Sequence, residues 1–121
     1  KGAIVTFFRK QLGKFGEDLA VSFLKQKGFK ILGQNLRFRF GEIDILAEEK
    51  EDIVLVEVKM KSSDEFGEPV EEIDYFKKRK LKQLAQAISQ KYPDRNIRID
   101  VVGVKAGKKP AIEHIEGAVE F

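Results

Sequence analysis

The chain has 121 residues and no cysteine, which favours one domain over 1–121 and excludes a disulfide framework and thiolate zinc sites. Its net charge of +3, from 23 basic and 20 acidic residues, excludes the strongly basic profile of a histone-like binder. The apolar stretches are too short for a membrane span and no signal peptide is visible, so we expect a cytoplasmic protein with no membrane partner.

The N-terminal half predicts a helix followed by strands. Helical spacing of apolar residues indicates a helix over about 14–27, with Gly28 as its C-cap glycine, whereas residues 1–13 fit either a short helix or an ordered arm. Extended segments are predicted at about 30–40, 42–48 and 53–60.

The C-terminal half predicts a second helix and further strands. Residues 61–73 contain Ser, Gly and Pro and indicate a long loop, a kind of segment that is often functional. The helix would start with Asp74 as N-cap and end by 92–93. A strand at 97–104, a turn at 106–110 and a last edge strand at 111–115 follow. Because a helix would connect the strands at 53–60 and 97–104, these strands should be parallel, in an α/β fold with a mixed sheet flanked by helices.

Alternation along two strands brings charged residues together. In the strand at 53–60, Glu57 and Lys59 share one face. The residues expected to face the core are Val54, Val56, Val58 and Met60, and in the preceding strand Ile43 and Ile45, which leaves Glu42 and Asp44 on the outward side. A tight turn at 50–51 would then pair Asp44 with Glu57 and Glu42 with Lys59.

An Asp44–Glu57 pair requires a compensating cation. Two carboxylates about 5 Å apart repel by roughly 3 kcal/mol at an effective dielectric constant of 20. Mg²⁺ accepts a few carboxylate oxygens and keeps waters, and Lys59 beside it could hold a phosphate oxygen or orient the attacking water. The residues alone leave two interpretations open: a phosphodiesterase site, or a solvated strand face with a weak salt bridge.

The sequence motifs add a resemblance to known protein families. Asp44, a short hairpin and Glu57-Val58-Lys59 resemble the PD-(D/E)XK nuclease signature. Ile-Leu-Gly-Gln-Asn-Leu-Arg at 31–37 and Gly-Glu-Ile-Asp-Ile-Leu-Ala at 41–47 look like the YraN family of small bacterial proteins. The match continues at Gly16-Glu17, Leu19-Ala20, Phe66-Gly67, Lys77, Lys80-Leu81 and Asp100-Val101-Val102, so it covers roughly residues 13–104. That family is similar to archaeal Holliday-junction resolvases, which implies a restriction-endonuclease-like fold.

The resemblance implies an endonuclease that hydrolyses DNA phosphodiester bonds with Mg²⁺ or Mn²⁺, with branched or structured DNA as one substrate class. Asp44, Glu57 and the Val58 carbonyl would bind the metal, and Lys59 would be the catalytic lysine. Glu17 would complete the acidic site, although a helix first-turn acid is its plainer interpretation. Glu42 has no assigned role. Junction-cutting relatives act as symmetric dimers, which alone implies a homodimer here.

Two alternative functions stay open beside the nuclease. A nucleic-acid-binding module on the same fold would bind DNA without turnover, and a structural or interaction protein would carry the acidic patch incidentally. Salt-sensitive DNA binding without a metal-dependent product would indicate the first.

Basic residues are expected to contact the phosphate backbone of DNA, namely Lys77, Arg79, Lys80, Arg37 and Lys61. Lys61 stands where the family usually has arginine. Lys77 shares a helical face with apolar residues and should lean towards the sheet, either as a core-edge lysine or as a phosphate contact.

Three other features point to structure. The aromatic side chains Phe38 and Phe40 are predicted core residues, although they alternate with Arg37 and Arg39 in a pattern that can bind nucleic acid. Asp100 is interpreted as structural, and the lone His114 as having no chemical role.

Overall fold

A computed structural model describes residues 2–61, 75–105 and 109–120, with the side chains of all of these except 2–12 and 61. In chain order the elements are α1 (Gly2–Gln26), β1 (Lys30–Phe38), β2 (Gly41–Glu49), β3 (Asp52–Lys61), α2 (Tyr75–Lys91), β4 (Asn96–Lys105) and β5 (Ala111–Ile115). The Asp74 cap, the predicted loop beyond Lys61 and the predicted turn at 106–108 lie outside the described residues.

The strands form one sheet in the order β1-β2-β3-β4-β5. Strands β3 and β4 are parallel and the other neighbours are antiparallel, which confirms the predicted mixed sheet and α/β class. The last edge strand is also confirmed. Among the described helices, none combines the length and the apolar character needed to cross a bilayer.

Helix α1 starts earlier than its apolar spacing indicated. It is continuous from Gly2, so the first residues it contains extend the helix and do not form a separate arm. It ends at Gln26, just before the predicted C-cap glycine Gly28, whose φ of 96° lies in the left-handed region that glycine adopts without strain. The Phe29 N–H donates a 2.9 Å hydrogen bond to the Leu24 carbonyl, which satisfies one of the last carbonyls of the helix.

Both faces of the sheet are buried. One core cluster lies between the sheet and α2, and it includes Ile53, Leu55, Leu81, Leu84, Ile88, Ile99 and Val101. The other lies between the sheet and α1, and it includes Ala20, Leu24, Val54, Val56, Val102 and Val104, with Val58 and Met60 packed against it. The face of β3 that carries Glu57 is therefore covered by α2 and is not a solvated face.

Strand β2 breaks the regular alternation of side chains at Asp44. Ile43 packs in the cluster under α2, whereas Ile45 packs in the cluster under α1. The prediction that both face inward on the same side was wrong, because the backbone turns over between them. In the β1 ladder, Asn35 falls opposite Asp44, between the flanking paired residues, and it adopts φ 51°, a left-handed conformation that asparagine tolerates.

Strand β1 ends sooner than predicted, and this changes the position of one aromatic residue. Phe38 is its last residue and packs against the α2-side cluster, as expected. Phe40 lies in the turn before β2 and is 40% exposed. The prediction of Phe40 as a core residue was wrong because the chain leaves the sheet before reaching it.

Candidate active site

The β2–β3 ladder stops beside the residues predicted to carry chemistry. It pairs residues in the predicted register from Glu49 with Asp52 to Ile45 with Val56, which is the last pair among the described residues. The predicted pairs Asp44–Glu57 and Glu42–Lys59 are not part of the ladder. Instead, the Val58 N–H donates a 2.9 Å hydrogen bond to Asp44 Oδ2, so a carboxylate takes the place of a backbone acceptor.

Strand geometry also gives the direction of a second backbone group of Val58. In an antiparallel pair, the N–H and the C=O of one residue point towards the same neighbouring strand. Because the Val58 N–H points to Asp44, the Val58 carbonyl points to the side from which β2 has departed. Its direction is compatible with the ligand role that the YraN resemblance implies.

Glu57 is buried but only partly partnered. It is 7% exposed, and the Lys77 ammonium from α2 lies 3.1 Å from its Oε1. Its Oε2 is buried without a hydrogen-bond partner among the described residues. Burial raises the pKa of Glu57 to about 7, helped by the charge of Asp44 and opposed by Lys77 and Lys59. One oxygen of this acid therefore lacks the compensation that a buried charge requires.

The burial of Asp44 is likewise only partly compensated by its partners. Burial raises the pKa of Asp44, and the charge of Glu42 adds to this increase, while the Val58 N–H and the Lys77 ammonium oppose it. Two neighbouring acids thus both have raised pKa values although Lys77 already provides a positive charge. Clusters of this kind are typical of functional sites.

Glu17 reaches this acidic group from α1. Burial raises the pKa of Glu17, and the nearby charges of Asp44 and Glu42 act in the same direction. Its interpretation as a first-turn acid is wrong, because α1 begins at Gly2 and Glu17 lies in its interior. Just before it, Gly16 allows close packing of α1 on β3, since a Cβ at this position would collide with Met60 Sδ.

Asn35 is a residue of the site that sequence reasoning missed. With its amide nitrogen turned towards the acids, Asn35 donates a 2.8 Å hydrogen bond to Glu17 Oε1 and a 3.1 Å bond to Glu42 Oε1. It thereby connects an acid of α1 to an acid of β2 and gives Glu42 a place next to the site. The available signal was an asparagine inside a predicted strand, where this residue type is unfavourable.

Of the predicted basic residues, the structure brings Lys59 and Lys77 to the acids. Lys59 is half-buried, and its charge lowers the pKa of Glu57. Lys77 leans towards the sheet as predicted and pairs with Glu57. Arg79 and Lys80 are exposed on α2, and Arg37 is exposed on β1, while the side chain of Lys61 lies outside the described set.

The donor set fits a hard divalent cation with few protein ligands. In the described part of the chain, no group of three or more His, Cys, Asp or Glu side chains is placed to hold a metal. Mg²⁺ commonly uses one or two carboxylates and keeps water for its other positions. Asp44 and Glu57 Oε2, which has no hydrogen-bond partner among the described residues, supply that minimum, and a cation there would offset the burial that raises both pKa values.

A second polar cluster, centred on Asp100, has a different character. Arg98 donates two hydrogen bonds to the Asp100 carboxylate at 2.8 and 3.0 Å, His114 Nε2 donates one at 2.8 Å, and the Gly117 N–H donates one at 3.0 Å. Burial alone would raise the pKa of Asp100, but these bonds hold it below its ordinary value. His114 Nδ1 lies 2.6 Å from the Lys27 ammonium. Because its partners are all supplied by the chain, Asp100 has the structural character that was predicted.

Fold and site together define an α/β protein of restriction-endonuclease-like architecture, with the buried Glu57 and the partly buried Asp44 where two strands of a mixed sheet separate. The model of "Uncharacterised protein family UPF0102" matches residues 16–104, and the chain belongs to this family, which confirms the YraN resemblance.

Relatives match nearly the whole chain. The UPF0102 protein of Thermodesulfovibrio yellowstonii is 46% identical over 114 residues, covering 91% of this chain and 96% of the relative. The protein of Alkaliphilus oremlandii is 44% identical over 114 residues, with coverage of 90% and 97%. That of Geobacter metallireducens is 40% identical over 120 residues, with coverage of 97% and 98%.

Proposed function

We propose that this protein is a metal-dependent endonuclease that hydrolyses phosphodiester bonds in DNA, including branched or structured DNA. The observation that carries the proposal is the incomplete compensation of Asp44 and Glu57 at the opening between β2 and β3. A buried acid with an unpartnered oxygen costs stability. A site that binds a cation during function explains why such an arrangement is kept.

Asp44, Glu57 and the Val58 carbonyl would hold Mg²⁺ or Mn²⁺. When bound, the ion would lower the pKa of the attacking water and stabilise negative charge on the phosphate oxygens. The side chains around it determine where the substrate and the water lie.

Lys59 and Lys77 supply the positive charge of the protein itself. Lys59 shares a strand with Glu57, and its ammonium can hold a phosphate oxygen or orient the attacking water. Lys77 lies at the outer side of Glu57 and is 44% exposed, so its ammonium can contact a phosphate entering from solvent. Glu17 faces the group from α1 and can accept a hydrogen bond from a water. In the reaction, the water oxygen bonds to phosphorus and releases a proton to solvent, the bond to the leaving ester oxygen breaks, and that oxygen takes up a proton from solvent.

The Lys77–Glu57 ion pair also supports a second candidate function. Its 3.1 Å separation shows that a cation of the chain already compensates one oxygen of Glu57. A nucleic-acid-binding module without turnover would keep this pair permanently. It would bind DNA in a salt-sensitive way, weakened by Lys77→Ala, and would yield no metal-dependent product.

Cleavage of a substrate panel separates the two functions. Linear, single-stranded, flap and four-way DNA are incubated with Mn²⁺ or Mg²⁺ and the parent, Asp44→Asn or Glu57→Gln protein. We expect cleavage by the parent and a loss of at least about a hundredfold in both variants, since each loses a ligand charge at the reacting centre. Glu48→Gln, at an acid paired with Arg95 outside the site, serves as the matched control and should cleave like the parent. Cleavage by Glu57→Gln at the parent rate would exclude the proposed mechanism.

A further inference from the structure

Two aromatic side chains at the start of α2 lie largely in solvent. Tyr75 and Phe76 are each 70% exposed, compared with at most 45% for the other large exposed hydrophobic residues in the described ranges. Their rings contact each other, with centroids 5.7 Å apart and an interplanar angle of 77°. Adjacent aromatic rings left in water are typical of a contact surface.

Five cations follow this aromatic pair within two turns of α2, whereas the acids Glu71, Glu72 and Asp74 precede it in the sequence. Lys77, Lys78, Arg79, Lys80 and Lys82 follow it in α2, and the helix contains no acidic residue. Arg79 comes four residues after Tyr75 and three after Phe76, so it lies on the same side of the helix as both rings. Positive charges near a helix N-terminus are unfavourable with respect to the helix dipole. A bound polyanion would offset this unfavourable placement.

The aromatic pair is also next to the candidate active site. Phe76 directly precedes Lys77, whose ammonium lies 3.1 Å from Glu57 Oε1. A strand whose phosphates contact the cations of α2 would bring its bases to the two rings while one phosphodiester bond lies near the acids. The combination of exposed rings and cations is the one that proteins use to bind single strands.

We propose that Tyr75 and Phe76 form a stacking platform for unpaired nucleobases, so that the substrate of the site is a nucleic acid with an unpaired strand beside the bond that is cut. The proposal rests on the proposed function, since it specifies the substrate of that site. In a continuous duplex the bases stack on each other and offer no free face to the rings. An unpaired strand offers such faces whatever its sequence.

Binding without cleavage tests the platform. Fluorescence anisotropy is measured in EDTA with labelled 20-nucleotide oligo(dT), oligo(rU) and a 20-base-pair DNA duplex, at one salt concentration. The parent is compared with Tyr75→Leu/Phe76→Leu, which keeps apolar side chains and removes the aromatic faces. We expect affinity for the single strands to fall by about 5- to 150-fold per ring that stacks, and duplex affinity to change by less than about twofold.

Two further variants control for folding and for general apolar contact. Phe40→Leu removes another exposed ring, one that stacks on Phe38 and is not part of the Tyr75–Phe76 pair, and should bind like the parent. The chain contains no tryptophan, so Phe76→Trp introduces a single reporter. Its fluorescence should be quenched by oligo(dT) and unchanged by the duplex.

The outcomes separate this proposal from the proposed function. Equal binding of single strands by the parent and the double leucine variant would overturn the platform, and capture of apolar peptides by both would indicate a protein partner instead. Absence of binding to either single strand would overturn it as well. If the parent binds oligo(dT) or oligo(rU) through its rings but cleaves no DNA of the panel, the stacking platform is supported and the nuclease function is overturned. The tighter-bound of the two oligonucleotides identifies DNA or RNA as the ligand.

Discussion

Two buried acids in neighbouring strands differ in how completely hydrogen bonds and ion pairs compensate their burial. Glu57 in β3 and Asp100 in β4 are the buried charged side chains of the described residues. Four hydrogen bonds from Arg98, His114 and Gly117 hold the pKa of Asp100 below its ordinary value. Glu57 has Lys77 at one oxygen, no hydrogen-bond partner at the other within the described ranges, and a raised pKa. A completed network stabilises the fold, whereas an incomplete one leaves a position for a ligand.

The largest expected effect concerns stability. Asp100→Ala should lower the free energy of unfolding by about 3–5 kcal/mol, because it leaves the half-buried Arg98 and the buried His114 without their shared partner. Glu57→Gln should change stability by no more than about 1 kcal/mol, since it removes a poorly compensated buried charge. Urea unfolding followed by circular dichroism measures both. Equal losses would mean that Glu57 is as structural as Asp100.

The second effect tests whether a cation completes the Glu57 site. Because a metal that binds only the folded protein adds to its stability, Mg²⁺ at about 100 times its dissociation constant should stabilise the parent by about 2.7 kcal/mol. Thermal unfolding with and without MgCl₂, at matched ionic strength, measures this gain. Asp44→Asn should lose it and Glu48→Gln should retain it. A gain of the same size in Asp44→Asn would place the cation elsewhere.

The smallest effect concerns Asn35, which acts as a positioning residue through Glu17 and Glu42. Asn35→Gly permits the same left-handed backbone but lacks the amide that donates to both acids. Loss of a group that orients a metal site typically reduces activity or metal affinity by 10–100-fold, and we expect about tenfold here. The decrease should occur in kcat and in the apparent Mg²⁺ affinity measured by calorimetry, with KM for DNA unchanged.

Asn35→Asp is the matched variant for this last prediction. It keeps the shape of the side chain and places a third carboxylate beside Glu17 and Glu42, so it should reduce activity more than Asn35→Gly does. If both variants behaved like the parent, Asn35 would have only a conformational role.

Much of the fold followed from simple patterns. The tight turn between β2 and β3 determined their register, and the intervening helix determined that β3 and β4 are parallel. The apolar face of α2 correctly indicated the inward direction of Lys77. These features depend on local spacing, which the sequence contains directly.

The local geometry of the site could not be predicted in the same way. Strict alternation predicted one common face for Ile43 and Ile45, but the chain turns over at Asp44, opposite the left-handed Asn35. Alternation also cannot distinguish Asp100 from Glu57, because each is an acid with apolar neighbours on both sides in its strand. Their difference arises from donors that are distant in sequence, such as His114 for Asp100.

Asp44 lies in β2 between Ile43, which packs towards α2, and Ile45, which packs towards α1. Glu17 approaches Asp44 from α1, and Lys77 approaches Asp44 and Glu57 from α2. A displacement of α1 would move Glu17 relative to the acids of the sheet, and a displacement of α2 would move Lys77 relative to Glu57. The absence of a Cβ at Gly16 lets α1 pack closely on Met60 of β3, so a side chain at this position would push the helix that carries Glu17 away from the sheet or displace Met60.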